Sequence, residues 1–559
     1  QGIRLYLRKA LMDVSRFPLL SAFAVFAPEE ALRWSRVCRL WKEQADDANF
    51  LGLVFCSLDF SHAGFFDDER MKAFVRCFPS GLKELGLVFR APCTIRDAGV
   101  VSLMDAIPCG LLSLRLVLEN RCLGPESAHA IAGRLPSSLR NLSLHLKGCK
   151  VGLDGVQAII RQVPSCLRSL SLSLAGRDVR DATLWCLTEV LFDELLDLRL
   201  NLSGASYLGA RPMQALTRKL PPGLKTLMLS FRGCRVGSHG LQVTAEHLPP
   251  ELELLDLDFN NCWRFPWDIY SEGLESADSI ESVAAAIHLL ARNLPASLRS
   301  LRLALSGAYL GSVPLRDLSS KLPADLEQLA LDLSFSGLAS EWDPNRRRMH
   351  AGGAAVALVQ GMPRKLRELS LNLNFCPLGD RCILALARQL SPNLRILNLS
   401  LWMCHLTDVG LTALARSLCG TLTHLMLGVG TAPGNLDKVT DSGLRELSRH
   451  WPRRLVHLHL DLCHRAGITD EGLSALARDL PESLRHFGLV MSSCRLITAQ
   501  GMRDFAASLP KSLVTLELRM PAACEEQQQK QQQQKTRHAT PWRRCSGIAV
   551  RAWCSADGP

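Results

Sequence analysis

Aromatic residues are scarce in this chain: they make up 6% of 559 residues, with only four tyrosines. A core built on ring systems is thereby excluded, although 47% of the residues are hydrophobic. No run of eighteen or more uninterrupted apolar residues occurs, so no membrane-spanning helix is expected. The motifs of common chemistries are missing too: no G-x-S-x-G, G-x-x-x-x-G-K-[ST], H-E-x-x-H or paired C-x-x-C is present. No catalytic residue, metal ligand or cofactor is therefore assigned, and the expectation is a protein that is not an enzyme. The net charge of +11 is spread along the chain, densest before residue 50 and after Glu526, which makes nucleic acid an unlikely partner.

What is abundant is leucine, and it is periodic. Sixteen times the chain spells L-x-x-L-x-L-x-L, with Cys or Phe among the substitutes. The first leucines fall at 53, 82, 111, 139, 167, 195, 224, 252, 298, 326, 366, 394, 422, 455, 484 and 513, and most steps are 28 or 29 residues. A fixed period of this length marks a solenoid, in which each unit buries its apolar edge against its neighbours. In Leu139-Arg-Asn-Leu142-Ser-Leu144-His-Leu146 the alternation predicts a strand with one buried face, leaving Ser143, His145 and Lys147 on the other. In Ile468-Thr-Asp-Glu-Gly-Leu473-Ser-Ala-Leu476-Ala-Arg-Asp-Leu480-Pro481 the spacing predicts a helix, capped by Thr469 or Asp470 and stopped by Pro481. Strand then helix with short connections gives an α/β fold, a parallel sheet on the concave side of a horseshoe and helices on the convex side. About sixteen repeats would span 51–521.

Twenty cysteines suggest a disulfide scaffold until they are placed on the period. Cys149, Cys234, Cys262, Cys376, Cys404 and Cys494 each follow their repeat's first leucine by ten residues. One structural slot used repeatedly implies packed, reduced thiols, and hence an intracellular protein. A competing reading takes Arg4, Arg8 and Lys9 before the apolar run Phe17 to Ala27 as a secretory signal. The sequons at Asn141, Asn201 and Asn398 fall inside predicted strands, where a glycan fits poorly.

The L-x-x-L-x-L motif with its later Cys, and the I/L/V-T-D-x-G-L helix starts at 406, 439 and 468, resemble the leucine-rich repeats of the ribonuclease-inhibitor-like class, cysteine-containing type. The strand motif runs two residues longer before the Cys than is usual in that type. Ahead of the repeats, Glu30 to Phe50 contains Leu32, Val37-Cys38-Arg39-Leu40-Trp41 and the acidic pair Asp46-Asp47, which resembles the second half of an F-box. The resemblance implies a small helical module over 1–50 that docks on a ligase adaptor through Phe17, Pro18, Leu32, Val37 and Trp41. Helices there would equally serve to cap the open first repeat.

Three repeats exceed the period, and their surplus lies at Trp263 to Ile280, Ser340 to Gly353 and Val429 to Val439. The first contributes Trp263 and Trp267, candidate contacts on an edge that solenoids often use for binding. On the concave face, register would align His424, His457 and His486 on successive strands, with His459 two residues further and Trp402 nearby. Asp256 and Asp258, with Asp332, make a mild acidic spot. A solvated face is the bland reading of these columns; partner contact is the sharper one. After Met520 the period ends, and the Gln/Lys-rich basic tail 522–559 is expected to be disordered.

The resemblance implies a cytoplasmic or nuclear substrate receptor recruiting a protein target to a cullin-RING (SCF-type) ubiquitin ligase, with the adaptor subunit as second partner and no membrane contact. The alternative is a leucine-rich-repeat scaffold or regulator without a ligase link.

Overall fold

The structure is a computed structural model. It describes residues 54–60, 67–76, 78, 81–90, 94–119, 122–174, 176, 179–205, 208–263, 278–336, 353–376, 378–432 and 439–519, with the short strands Arg4–Leu5, Glu341–Asp343, Arg348–His350 and Ala549–Trp553. Phe17, Pro18, Leu32, Val37, Trp41 and Trp267 lie outside the described residues.

The chain forms two compact units, Gln1–Arg264 and Phe265–Pro559. In the first, strands from Val54–Asp59 to Leu254–Asp258 run parallel, and a helix separates each from the next. The register is set by the leucines: Leu114 stands beside Leu142, Leu142 beside Leu170, and Leu170 beside Leu198. In the second, strands from Ser300–Ala304 to Thr515–Arg519 repeat the arrangement, with Leu397 beside Leu425 and Leu425 beside Leu458.

The alternation seen in the sequence is physical. Leu142 and Leu144 are buried while Asn141 is exposed and Ser143 and His145 are half-buried. Each buried leucine contributes about 1.5–3 kcal/mol, so a rung of three dominates the energetics of a repeat. Ala549–Trp553, within the tail expected to lack order, pairs parallel with Thr515–Arg519 and covers that strand's edge. An edge strand offers a row of unpaired N–H and C=O groups, which is the driving force for such pairing.

Helix starts carry the second bond between repeats. Thr440 caps its own helix by accepting from Ser442 N–H (3.2 Å). The aspartate of the preceding repeat caps the same turn from outside: Asp408 accepts from Thr440 N–H (2.8 Å), Thr440 Oγ1–H (2.6 Å) and Gly443 N–H (3.1 Å). Asp380 does this to Thr407 and Gly410, and Asp441 and Asp470 hold Thr469 and Thr498. A side chain at the motif glycine would collide with the carboxylate, as Asp408 against Gly443 and Asp441 against Gly472 show. The T-D-x-G-L motif is thus an inter-repeat clamp.

The cysteine slot is a third. Cys149, Cys234, Cys262, Cys376, Cys404 and Cys494 donate S–H to a carbonyl of the preceding repeat at 2.7 to 3.3 Å. These thiols are buried and in no disulfide, and burial pushes Cys234 and Cys494 up to about 11, so the slot holds packing groups and not reactive thiolates. Ser336 does the same work through Oγ to Leu305 O, and the buried Arg465 through Nε to Val429 O.

Asp408→Ala removes an anionic acceptor from three donors at one junction, and about 2–3 kcal/mol of unfolding free energy should go with it. Gly443→Ala injures the same junction. Urea denaturation should therefore show the double variant losing less than the two single losses added.

Candidate partner-binding surface

The helix-free face of the second unit carries the side chains that the strand register leaves unburied. His424, His457, His486 and Thr515 are Cα partners on four successive strands. Their imidazoles stack, His424 on His457 and His457 on His486, each pair with centroids 4.2 Å apart and planes 10° from parallel. Parallel rings send their nitrogens side by side instead of toward one point. Among the described residues no group of three or more His, Cys, Asp or Glu is placed to hold a metal ion.

Thr423 Oγ1–H donates to Arg395 O (3.1 Å), and the same hydroxyl lies 2.9 Å from His424 Nδ1. At the far end His486 Nδ1 pairs with Thr515 Oγ1 (2.7 Å). Burial, and then the flanking rings of His424 and His486, push the His457 pKa below the ordinary imidazole value.

Beside the column lies a pocket of about 450 Å³ walled by Ile396, Met426 and the rings, with Asn398, His459 and Glu517 on its lining. Met426 is 49% exposed. Two glycines shape this surface. His459 lies against Gly488, and a Cβ there would strike its Nδ1. Trp402 lies over Gly430 in the same way, so the indole is half-buried where the register alone suggests full exposure.

Trp402 is also the end of an aromatic cluster that the leucine pattern does not announce. Phe335 and Phe375 stack at 4.2 Å and 14°, and Phe375 meets Trp402 edge-on at 5.2 Å. Both phenylalanines sit nine residues after their first leucine with φ of 57° and 58°. Glycines fill that turn at Gly148, Gly204, Gly233 and Gly307. A bulky residue in the left-handed region costs about 1–2 kcal/mol. The sequence signal is Phe at a slot where Gly148, Gly204, Gly233 and Gly307 stand in other repeats.

The remaining expected contacts belong to the first unit. Asp258 accepts from Ser230 Oγ–H (3.2 Å) and Asn260 N–H (3.1 Å), Asp256 is half-buried beside it, and Trp263 packs on Phe259 at 6.5 Å. In the second unit a cleft at the strand entrances holds Arg299, Glu327 and Arg367, with Glu327 paired to both arginines at 3.8 and 3.1 Å. Lys365 pairs with Asp325 alongside. Exposed ion pairs of this kind are solvated and contribute little.

A family model described as Leucine Rich repeat matches residues 390–415, which hold the strand Ile396–Ser400 and most of the helix Asp408–Ser417. The fold is a leucine-rich-repeat solenoid. No curated protein matches the chain. Among solved structures it is similar to a chain in the crystal structure of the Rad7 and Elc1 complex in yeast, at 14% identity and a TM-score of 0.41, over 93% of this chain and 92% of that one. It is also similar to the leucine-rich repeat-containing protein LegL7 from Legionella pneumophila, at 18% identity and a TM-score of 0.32, over 60% of this chain and 87% of that one. Among the described residues no helix is long and apolar enough to cross a membrane.

Two histidines make stability pH-dependent. The pKa of His145 is lowered by burial first and by the Arg115 charge second, and that of His457 by burial and its two neighbours. A depressed folded-state value means the unfolded chain binds more protons at mildly acidic pH. Stability should be complete above the ordinary imidazole value of about 6.5 and fall as pH drops through the lowered values. Urea midpoints between about pH 7.5 and 5 test this, and His457→Phe should flatten the slope while keeping the stacked column.

Proposed function

We propose that this protein is a non-enzymatic substrate receptor of an SCF-type ubiquitin ligase, acting in the cytoplasm or nucleus. The observation that carries the reading is the F-box-like run Leu32 to Trp41 placed ahead of a leucine-rich-repeat array. The array supplies a protein-binding surface: parallel strands whose unburied side chains, from Ile396 to Glu517, stand in ordered columns beside an aromatic cluster. Phe17, Pro18, Leu32, Val37 and Trp41 would contact the adaptor, while His424, His457, His459, His486 and Trp402 would contact the target. A receptor of this kind does no chemistry; it raises the concentration of target beside an enzyme held in the same assembly.

Expressed with a tagged ligase adaptor, the full chain should co-purify with it. Leu32→Asp or Trp41→Ala should cut recovery by about tenfold or more, as expected of an interface anchor. An unchanged circular dichroism spectrum would show that the array stays folded. An intact chain that retains no adaptor overturns the ligase reading and leaves a protein-binding scaffold.

A further inference from the structure

The strand entrances of the second unit carry a row of charges whose order is broken in one place. Arg299, Glu327, Arg367 and Arg395 fill the same slot on successive strands, and backbone bonds fix their order. Glu327 N–H donates to Arg299 O (2.8 Å), Arg367 N–H to Glu327 O (2.8 Å) and Arg395 N–H to Arg367 O (2.7 Å). Glu327 stands between two guanidiniums and pairs with both, Arg299 at 3.8 Å and Arg367 at 3.1 Å. Beyond Arg367 the alternation fails. Arg395 follows directly, and after it Thr423, whose hydroxyl donates to Arg395 O (3.1 Å). Among the described residues the exposed Arg395 makes no ion pair.

This row borders the cleft of about 580 Å³ that Asp325, Lys365, Asn393 and Thr421 also line. Asp325 is taken by Lys365, so the end toward Arg395 is walled by Lys365, Arg367, Asn393 and Arg395 with no carboxylate of its own. Glu368, next in sequence to Arg367, is half-buried on its strand and in no ion pair among the described residues. Over the whole cleft four cations face two carboxylates, which leaves two positive charges uncompensated. The excess continues along the same edge. The turns 363–367, 391–395, 419–423, 452–456, 481–485 and 510–514 hold eight lysines and arginines against one carboxylate, Glu482.

We propose that this edge binds an acidic segment of a protein partner, one of whose carboxylates sits between Arg367 and Arg395 as Glu327 sits between Arg299 and Arg367. A carboxylate there restores the alternation and relieves the repulsion of like charges one strand spacing, about 4.8 Å, apart. The guanidinium fork matches a carboxylate, and Asn393 adds an amide donor. Exposed pairs are individually weak, so a lone carboxylate is not retained. A segment with several engages the cations of neighbouring turns together. These turns carry no aromatic side chain on which a base could stack, which favours a polypeptide over a single-stranded nucleic acid. The cleft shares no lining residue with the pocket beside the imidazole column, and the inference is independent of the adaptor.

The test is fluorescence anisotropy of a labelled peptide of alternating glutamate and serine titrated with the full chain, against its glutamine counterpart and an oligothymidylate of equal charge. The glutamate peptide should bind about tenfold or more tighter than the glutamine one, and weaken as salt rises from about 50 to 200 mM. Arg395→Gln should weaken it several-fold, and Glu327→Gln, which vacates two guanidiniums, should strengthen it. Arg381→Gln removes an equal charge from the exposed start of the helix Gly379–Gln389 and should leave binding unchanged. Equal binding of the glutamine peptide, tighter binding of the oligothymidylate, weakening by Glu327→Gln, or the same response to Arg395→Gln and Arg381→Gln would overturn the proposal. Adaptor co-purification reads the N-terminal module alone, so either proposal can fail without the other.

Discussion

A repeat of this length cannot bury both of its own faces, and each rung depends on the next for its partners. Parallel pairing in strict register places Leu142 against Leu170 and Leu397 against Leu425, so the apolar side of one strand becomes the wall of the neighbouring one. The same register fixes every other slot. Asp408 reaches Thr440, Asp441 reaches Thr469, and each cysteine thiol reaches a carbonyl of the repeat before it. Polar groups that would otherwise be orphaned at helix starts and strand exits are satisfied between repeats. Stability is therefore distributed over junctions, and the side chains facing away from the core remain available for recognition.

Much of this was legible in the sequence because a periodic fold writes its slots periodically. The leucine alternation identifies the buried side of each strand, and the ten-residue offset of Cys404 or Cys494 identifies one packed position. The histidine column follows from the same arithmetic. The work of Asp470 does not. Thr469 and Asp470 both fit the cap of their own helix, and only the three-dimensional stack shows that Asp470 serves Thr498 instead. Trp402 was expected to project, but Gly430, just past the end of the next strand, gives the indole a bed to lie on. Gly488, inside the strand His486–Val490 and under His459, is the clearer signal of this kind, since glycine weakens a strand unless something approaches closely.

The least legible features are those that break local rules. Phe335 and Phe375 occupy a left-handed turn that Gly148, Gly204, Gly233 and Gly307 fill in other repeats and Asn261, His464 and Ser493 in others again, and no turn propensity points to phenylalanine there. Their backbone cost is offset in part by ring stacking, worth about 0.5–1.5 kcal/mol per pair. Met403 shares the conformation at φ 59°, and its sulfur accepts from Ala432 N–H at 3.0 Å. Arg465 stands where other repeats place a small thiol or hydroxyl, and is buried to 1% exposure. These departures fall in the second unit, which also carries the imidazole column.

That coincidence separates scaffold from surface. Scaffold slots tolerate only what the register permits, which is why Thr, Asp, Gly and Leu return at fixed offsets. Surface slots differ from strand to strand, so Ile396, His424, His457, His486 and Thr515 share one column without sharing chemistry at its ends. Where exposed rings are held in an unfavourable backbone conformation, folding alone gives no reason to keep them, because glycine would serve the turn better. A contact made by the ring itself does give that reason. The strained turns and the stacked imidazoles thus point to the same part of the chain, one through what it costs the backbone and the other through the groups it leaves facing solvent.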